Sequence, residues 1–296
     1  MKISVIVTNW NGLELLKKYL ISVIEASPEA DEIILADDAS QDSSLEYVKS
    51  LQSKYPKLKI LAQKTNQGFA KNSNDAVRFS AGDYLVFLNS DIKPHLGYIK
   101  NALPHFQDSS VFGVGFSELG NENWAKIFWK DGYLQYSRGG EVSAAHITGW
   151  LSGGGSVIRK DYFLKMGGFD TVYEPFYSED LDLGYRAWKS GYKLIWEPQS
   201  VIEHCHESTT SKFPKRFLDY VKERNRLLVI LRNITDKKLL TSNKWAMLGR
   251  CLTGPNYIKI IRAAYAQAAK YPSPVVFPTI TDHQIFDMFS DNNEKN

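Results

Sequence analysis

The chain has 296 residues, 43% of them hydrophobic, with 16 Tyr, 15 Phe and 7 Trp, which is ample material for a large buried core and excludes a mostly disordered chain. Its net charge of +3 hides an uneven spread: residues 1–211 are acidic on balance, 212–270 carry 14 Lys/Arg against 3 Asp/Glu, and 271–296 are acidic again. Two cysteines, Cys205 and Cys251, exclude a disulfide framework and a cysteine-rich metal cluster, and they fit a reducing compartment.

In chain order, Ile3 to Val7 reads as a buried strand. It is too short for a signal peptide, and no stretch nears the roughly 18 apolar residues of a membrane span, so a cytoplasmic protein is expected. Leu13, Leu16, Leu20, Val23 and Ile24 share one helical face that ends near Ser27-Pro28. Ile33 to Ala36 is a second strand closed by Asp37-Asp38, with Asp42 as a cap for a helix over 43–54. Leu58 to Ala62 is a third strand, Gly68 to Ser80 a helix, and Tyr84 to Leu88 a fourth strand running into Asn89-Ser90-Asp91.

This alternation predicts βαβ units on a mostly parallel sheet. Polar residues recur at each strand's carboxyl end, where ligands sit in open α/β sheets. Residues 117–150 read as a loop-rich binding region. Gly154 to Ile158 is then a strand, 160–166 a short helix, Glu179 to Ser190 a helix stopped by Gly191, and Lys193 to Trp196 the last strand. Phe213 to Asn233 is a basic amphipathic helix with Phe217, Val221, Leu228 and Leu231 on one side. The expected division is a catalytic domain over 1–211 and a basic helical extension with a flexible acidic tail over 212–296.

Three clusters could carry chemistry. Asp91, just past a strand, projects from the ligand edge, where its oxygens suit a hard divalent cation; alone, such an acid is more often a cap or turn residue. Glu179 and Asp180 open a helix, where acids stabilise the macrodipole, yet they follow an aromatic run and could supply a general base. His204 and His206 project to one face if extended, and either could reach a metal; a zinc site on His204-Cys205-His206 alone cannot close a tetrahedron. Gly153-Gly154-Gly155-Ser156 lacks the ending of a phosphate loop and suggests only a tight turn close to a ligand.

Taken in order, these segments resemble glycosyltransferase family 2 and its polysaccharide, rhamnosyltransferase-like branch. The matching text is Ser4 to Gly12, Ile33 to Ser44, Asn66 to Ala70 with Asn74, Leu88 to Asp91, Ser152 to Gly155, Gly167 to Asp170, Tyr177 to Leu183, His204 to Ser208 and Glu223 to Arg226. The resemblance covers about residues 2–230 and implies the GT-A fold, a Rossmann-like α/β sheet flanked by helices. It implies transfer with inversion from a nucleotide sugar, UDP- or dTDP-linked, to a hydroxyl of a glycan or lipid-linked glycan, with Mn2+ or Mg2+.

By that resemblance Thr8 and Asp38 hold the base and ribose, while Asn9, Asp37, Asn74, Asn89 and Ser90 shape the pocket. Trp150 and Gly154 border the sugar and acceptor. Asp91 binds the metal, one of His204 and His206 completes its site, with His204 preferred, and Asp180 is the base with Glu179 beside it. The family's metal motif often opens with an acid where this chain has Asn89, a weaker ligand.

The basic segment 212–270, including Lys212, Lys215, Arg216, Lys222, Arg224 and Arg226, suits a cradle for an anionic acceptor, contact with an anionic membrane at its inner face, or a solvated helical face. Nucleic acid is not expected, because no reading module is present. A sugar nucleotidyltransferase would need an early Gly-rich loop with Arg and Lys, absent from residues 8–20. A non-catalytic nucleotide-sugar-binding or scaffold protein would have no reason to keep Asp91, Asp180 and His204 together.

Overall fold

A computed structural model describes all residues except 122, 206–212, 255, 275–277 and 291–296. The first half alternates strongly: β1 (Ile3–Asn9), α1 (Leu13–Ala26), β2 (Glu32–Asp37), α2 (Ser44–Leu51), β3 (Leu58–Ala62), α3 (Phe69–Phe79) and β4 (Tyr84–Asn89). Strands β3, β2, β1 and β4 are neighbours and all parallel. Helices cover both faces, so Val5, Ile6, Val7, Leu85, Val86, Phe87 and Leu88 are all buried, as continuous apolar runs require.

The second half completes a mixed sheet. After β5 (Ile92–Pro94) and α4 (Tyr98–Ala102) come β6 (Val111–Glu118), β7 (Ala125–Lys130), β8 (Tyr133–Arg138), β9 (His146–Ile147), β10 (Gly155–Arg159), α5 (Lys160–Lys165), α6 (Glu179–Lys189) and β11 (Lys193–His204). The sheet runs β3-β2-β1-β4-β10-β6-β11-β5, with β9 on β11 and β7-β8 as a separate hairpin.

One expectation is corrected here and two are sharpened. The stretch 117–150 is loop-rich as expected, with a little under half of it in strand: the end of β6, the β7–β8 hairpin and β9. The last strand does not stop at Trp196: β11 shifts register between Glu197 and Val201 and continues to His204. Asp42 does more than cap one helix, since its carboxylate accepts from Leu13 N at 3.0 Å and Ser44 N at 3.1 Å, fastening the starts of both α1 and α2.

The remaining helices are α7 (Lys215–Asn233), α8 (Lys237–Thr253), α9 (Tyr257–Lys270) and α10 (Asp282–Met288). They pack on the same core as the sheet: Leu228 and Ile230 of α7, Ala264 of α9, and Ile285 and Phe289 join Phe87, Phe163 and Phe169. Within the acidic tail, α10 buries Asp282 in an ion pair with Lys189 at 2.9 Å, and Tyr185 Oη donates to the same carboxylate. A buried carboxylate this well paired ties the tail to α6.

Candidate active site

The ends of β1, β2 and β4 lie side by side, because Thr8 pairs with Ala36 and Asn89, and Asn9 with Asp37. Asn9 Nδ2 donates to Asp37 Oδ2 at 2.8 Å, and Asp37 also accepts from Ser40 N and Oγ. Asp38 accepts from Gln67 N and Gly68 N, both at 2.8 Å, and so fixes the turn before α3. Burial outweighs these bonds and raises the Asp38 carboxyl above its ordinary range.

Asn74 sits inside α3 and ties it to Phe169, donating to Phe169 O at 2.7 Å and accepting from Phe169 N at 3.0 Å. Asp37 and Asn74 thus brace the edge, as residues that shape the pocket would. Thr8 Oγ1 donates to Asn89 Oδ1 at 3.3 Å. Asn89 and Ser90 remain partly exposed at the edge.

Asp91 follows, almost fully buried. Its Oδ1 lies 3.3 Å from His204 Nε2, because antiparallel β5 and β11 set His204 opposite Ile92. The other oxygen, Oδ2, is buried without a hydrogen-bond partner. On its far side, His204 Nδ1 lies 3.5 Å from Glu118 Oε2 at the end of β6. Burial lowers the His204 imidazole, but the two carboxylates outweigh it and push it up to about 9. Glu118 was not anticipated, since its proximity depends on β6 pairing with β11 beyond the register shift. His206 lies outside the described residues.

Among the described residues no group of three His, Cys, Asp or Glu side chains forms a ready metal cage. Asp91 and His204 still fit a divalent cation that takes its other ligands from a diphosphate and water, the usual habit of such ions. The orphaned Asp91 Oδ2 is the observation that favours this fit, because a buried carboxylate oxygen without a partner is costly.

The second acidic cluster opens α6. Tyr177 and Ser178 both have positive φ, 74° and 79°, a strained conformation for residues with a Cβ. It turns the chain so that Glu179 and Asp180 line a cavity of about 600 Å³ together with Gln135, Tyr136, Trp150, Lys222 and Arg226. Trp150 meets Tyr136 edge-on at 4.9 Å between ring centroids. Trp150 also packs so closely on α6 that a Cβ at Gly184 would lie 2.9 Å from its Cα.

Asp180 Oδ1 accepts from Leu181 N at 2.8 Å, and the Gly153 N–H also points to this carboxyl. Burial nonetheless raises its pKa. The next residue of the same turn, Gly154, backs onto Asn89, where a Cβ would come within 2.4 Å of Nδ2. The glycine turn thus has Asp180 on one side and the Asn89-Ser90-Asp91 edge on the other.

Glu179 Oε2 is buried without a partner. Burial first, then the Asp180 charge, pushes its carboxyl up to about 8. An unfolded Glu titrates near 4.3, so the folded chain holds the extra proton and stability falls as pH rises from there to about 8. Glu179→Gln, an isostere of the protonated acid, is expected to flatten that decline. Thermal unfolding at pH 5 and pH 8 reads it, and equal pH slopes in variant and parent would overturn it.

Part of the basic helix α7 faces the cavity. Lys222 and Arg226 line the cavity, with Lys222 over Tyr177 and Arg226 4.2 Å from the Tyr133 ring centroid. Arg224 is buried and donates to Glu174 O. Asn225 Nδ2 donates to the carbonyls of Tyr173, Phe176 and Tyr177 at 2.8, 3.0 and 2.8 Å. These residues serve the site's walls, so the middle of α7 is not an exposed basic face; Lys212 lies outside the described residues.

The glycosyl transferase family 2 profile matches residues 4–167, and that of glycosyl transferase family group 2 matches 88–278. The N-acetylglucosaminyl-diphospho-decaprenol L-rhamnosyltransferase of Mycobacterium tuberculosis (strain ATCC 25618 / H37Rv) is 25% identical over 239 residues, covering 69% of this chain and 76% of that protein. Mouse (Mus musculus) polypeptide N-acetylgalactosaminyltransferase 12 is also 25% identical, over 73% of this chain. The chain spans only about two fifths of the length of such N-acetylgalactosaminyltransferases, 40% in that case.

Among solved structures, S. aureus TarS 1-349 in complex with UDP-GlcNAc superposes with a TM-score of 0.61 at 18% identity, covering 92% of this chain and 82% of that one. The mannosyltransferase PcManGT from Pyrobaculum calidifontis, in complex with GDP-Man and Mn2+, gives 0.60 at 18% identity, covering 91% and 78%. With a profile match over more than half its length and this sheet order, the chain belongs to glycosyltransferase family 2 and has the GT-A fold.

Proposed function

We propose that this protein is a metal-dependent inverting glycosyltransferase that moves a sugar from a UDP- or dTDP-linked donor to a hydroxyl of a lipid-linked glycan in cell-surface polysaccharide synthesis. The observation that carries this reading is the cavity-lining Asp180 carboxylate, set across one glycine turn from the Asn89-Ser90-Asp91 edge. The rhamnosyltransferase relative acts, by its name, on a sugar carried by diphospho-decaprenol, and it matches over most of its own length. An acceptor of that class is held at a lipid surface, so the enzyme works peripherally on the inner face of the plasma membrane.

In this mechanism Asp180 takes the proton of the acceptor hydroxyl. The freed oxygen pair attacks the anomeric carbon from the face opposite the diphosphate, and the bond to the leaving phosphate oxygen breaks with its electron pair. One displacement inverts configuration. Trp150 and Tyr136 wall the cavity and exclude water, while Thr8, Asp38, Asn89 and Ser90 border the nucleotide. Protonated Glu179 is a hydrogen-bond donor to a sugar hydroxyl. Asp91 and His204 would hold a divalent cation, which would supply charge neutralisation for the departing nucleoside diphosphate.

Glu118 orients His204 from its far nitrogen, and such outer partners typically set metal affinity by a factor of 10 to 100. Glu118→Ala is therefore expected to weaken Mn2+ binding about tenfold. Electron paramagnetic titration of free Mn2+ measures this without any turnover, and unchanged affinity would remove Glu118 from the site.

A panel of UDP-, dTDP- and GDP-sugars, assayed for binding and slow hydrolysis with and without Mn2+, tests the proposal as a whole. One UDP- or dTDP-sugar should bind and hydrolyse in a Mn2+-stimulated manner. If no nucleotide sugar binds, the enzymatic assignment is wrong.

A further inference from the structure

Helix α8 is apolar on two sides. Its inner side buries Leu239, Asn243 and Met247, and Asn243 Nδ2 donates to Gly132 O in the β7–β8 turn at 2.8 Å. Its outer side presents Trp245, Leu248 and Leu252, exposed to 69%, 50% and 79%. These positions are three and four apart and form one stripe. Helix α9, which packs against α8, exposes Ile258 and Tyr265, seven apart and again on one face. A solvated helix would carry polar residues there.

The charge of this pair is one-sided. From Lys237 to Lys270 the chain has seven Lys/Arg and no Asp or Glu. Lys237, Lys238, Lys244, Lys259, Arg262 and Lys270 are all exposed. Large apolar side chains among cations, on helices that already have a packed inner face, mark an interaction surface. Trp suits a boundary between apolar and wet surroundings.

We propose that the outer face of α8 and α9 docks on an anionic lipid bilayer, with Trp245, Leu248 and Leu252 entering the headgroup boundary and the lysines and Arg262 meeting lipid phosphates. Charge complementarity selects this occupant. A second copy would set cations against cations with no acid from either segment to pair them. An anionic bilayer offers phosphates outermost and an apolar layer beneath, the order these side chains need. The inference rests on the peripheral reading above, but on residues apart from the cavity, and it narrows the contact within 212–270 to α8 and α9.

The test is flotation of the full chain with phosphatidylcholine vesicles, and with vesicles carrying roughly one-third phosphatidylglycerol, without donor or acceptor. Binding to the anionic vesicles only, weakened by salt, is expected. The double variant W245S/L252S should bind at least about tenfold more weakly, and so should K244E/K259E. Both pairs are solvent-exposed, so unfolding temperature and donor hydrolysis should stay unchanged.

Failure of the parent to float with anionic vesicles overturns the proposal, as does undiminished binding by both variants. Concentration-dependent dimers in sedimentation that W245S/L252S abolishes would also overturn it, by assigning the face to protein contact. In each of these cases intact donor hydrolysis would leave the glycosyltransferase reading standing. Loss of hydrolysis with flotation intact would do the reverse.

Discussion

Asp180→Asn is expected to lower turnover by about 10³-fold while donor affinity stays within about twofold. The amide keeps the shape of the side chain and an oxygen that can accept from Leu181 N and Gly153 N, the two backbone donors at this carboxyl. It cannot take a proton from an attacking hydroxyl. In the proposed reading donor binding depends on the strand edge across the glycine turn, so it should be left intact. Single-turnover transfer and calorimetric titration of donor measure the two quantities separately. Turnover within tenfold of the parent would strip Asp180 of its role.

The same residue fixes a pH signature. Burial raises the Asp180 carboxyl, so activity should be lost, as pH falls, above the range where an ordinary aspartate protonates. Glu179 beside it is pushed up to about 8, by burial and then by the Asp180 charge. Two adjacent acids with environments that separate their protonation give one base and one proton donor, the pattern expected where acid and base roles are divided.

What could be read from the sequence follows from the period of each element. Strands β1, β2 and β4 are apolar runs because the parallel half is buried on both faces, and their ends announce the ligand edge through Asp37, Asp38 and Asp91. Strand β6 was missed because Gly113 and Gly115 interrupt its apolar run. With β6 unseen, Glu118 could not be placed beside His204, since the neighbourhood arises from pairing of distant strands. The end of β11 was placed too early because Pro198 and a register shift intervene before Val201. The sequence places Asp37 and Asn74 at the pocket, but no local pattern distinguishes a brace from a ligand contact. The excess charge of 212–270 was plain, whereas its division between a cavity wall on α7 and an exposed face on α8 and α9 depends on which side of each helix packs inward.

Asn225 illustrates the same limit and carries the second large effect. The sequence displays it only as part of Glu223-Arg224-Asn225-Arg226. In the fold its Nδ2 ties three carbonyls of the loop before α6, and its Oδ1 accepts from Arg224 Nε and Nη2 at 3.0 and 2.8 Å. That loop holds Tyr177 and Ser178 at positive φ, each costing on the order of 1–3 kcal/mol, which persists only while surrounding bonds over-determine the conformation.

Asn225→Ala leaves one buried and two part-buried carbonyls without this donor, and relaxation of the strained pair would carry the Asp180 carboxyl away from the acceptor. Turnover should fall about 10²-fold, the scale of a 1 Å misplacement, and stability by about 1–3 kcal/mol. A control separates position from fold: Asn243→Ala removes a buried amide bond to Gly132 O at 2.8 Å, far along the chain from the loop. It should lower the unfolding temperature comparably yet leave turnover of the folded enzyme near that of the parent. If the two variants lose turnover equally at matched stability, the Asn225 clamp serves the fold alone, and the strained turn has no part in aiming Asp180.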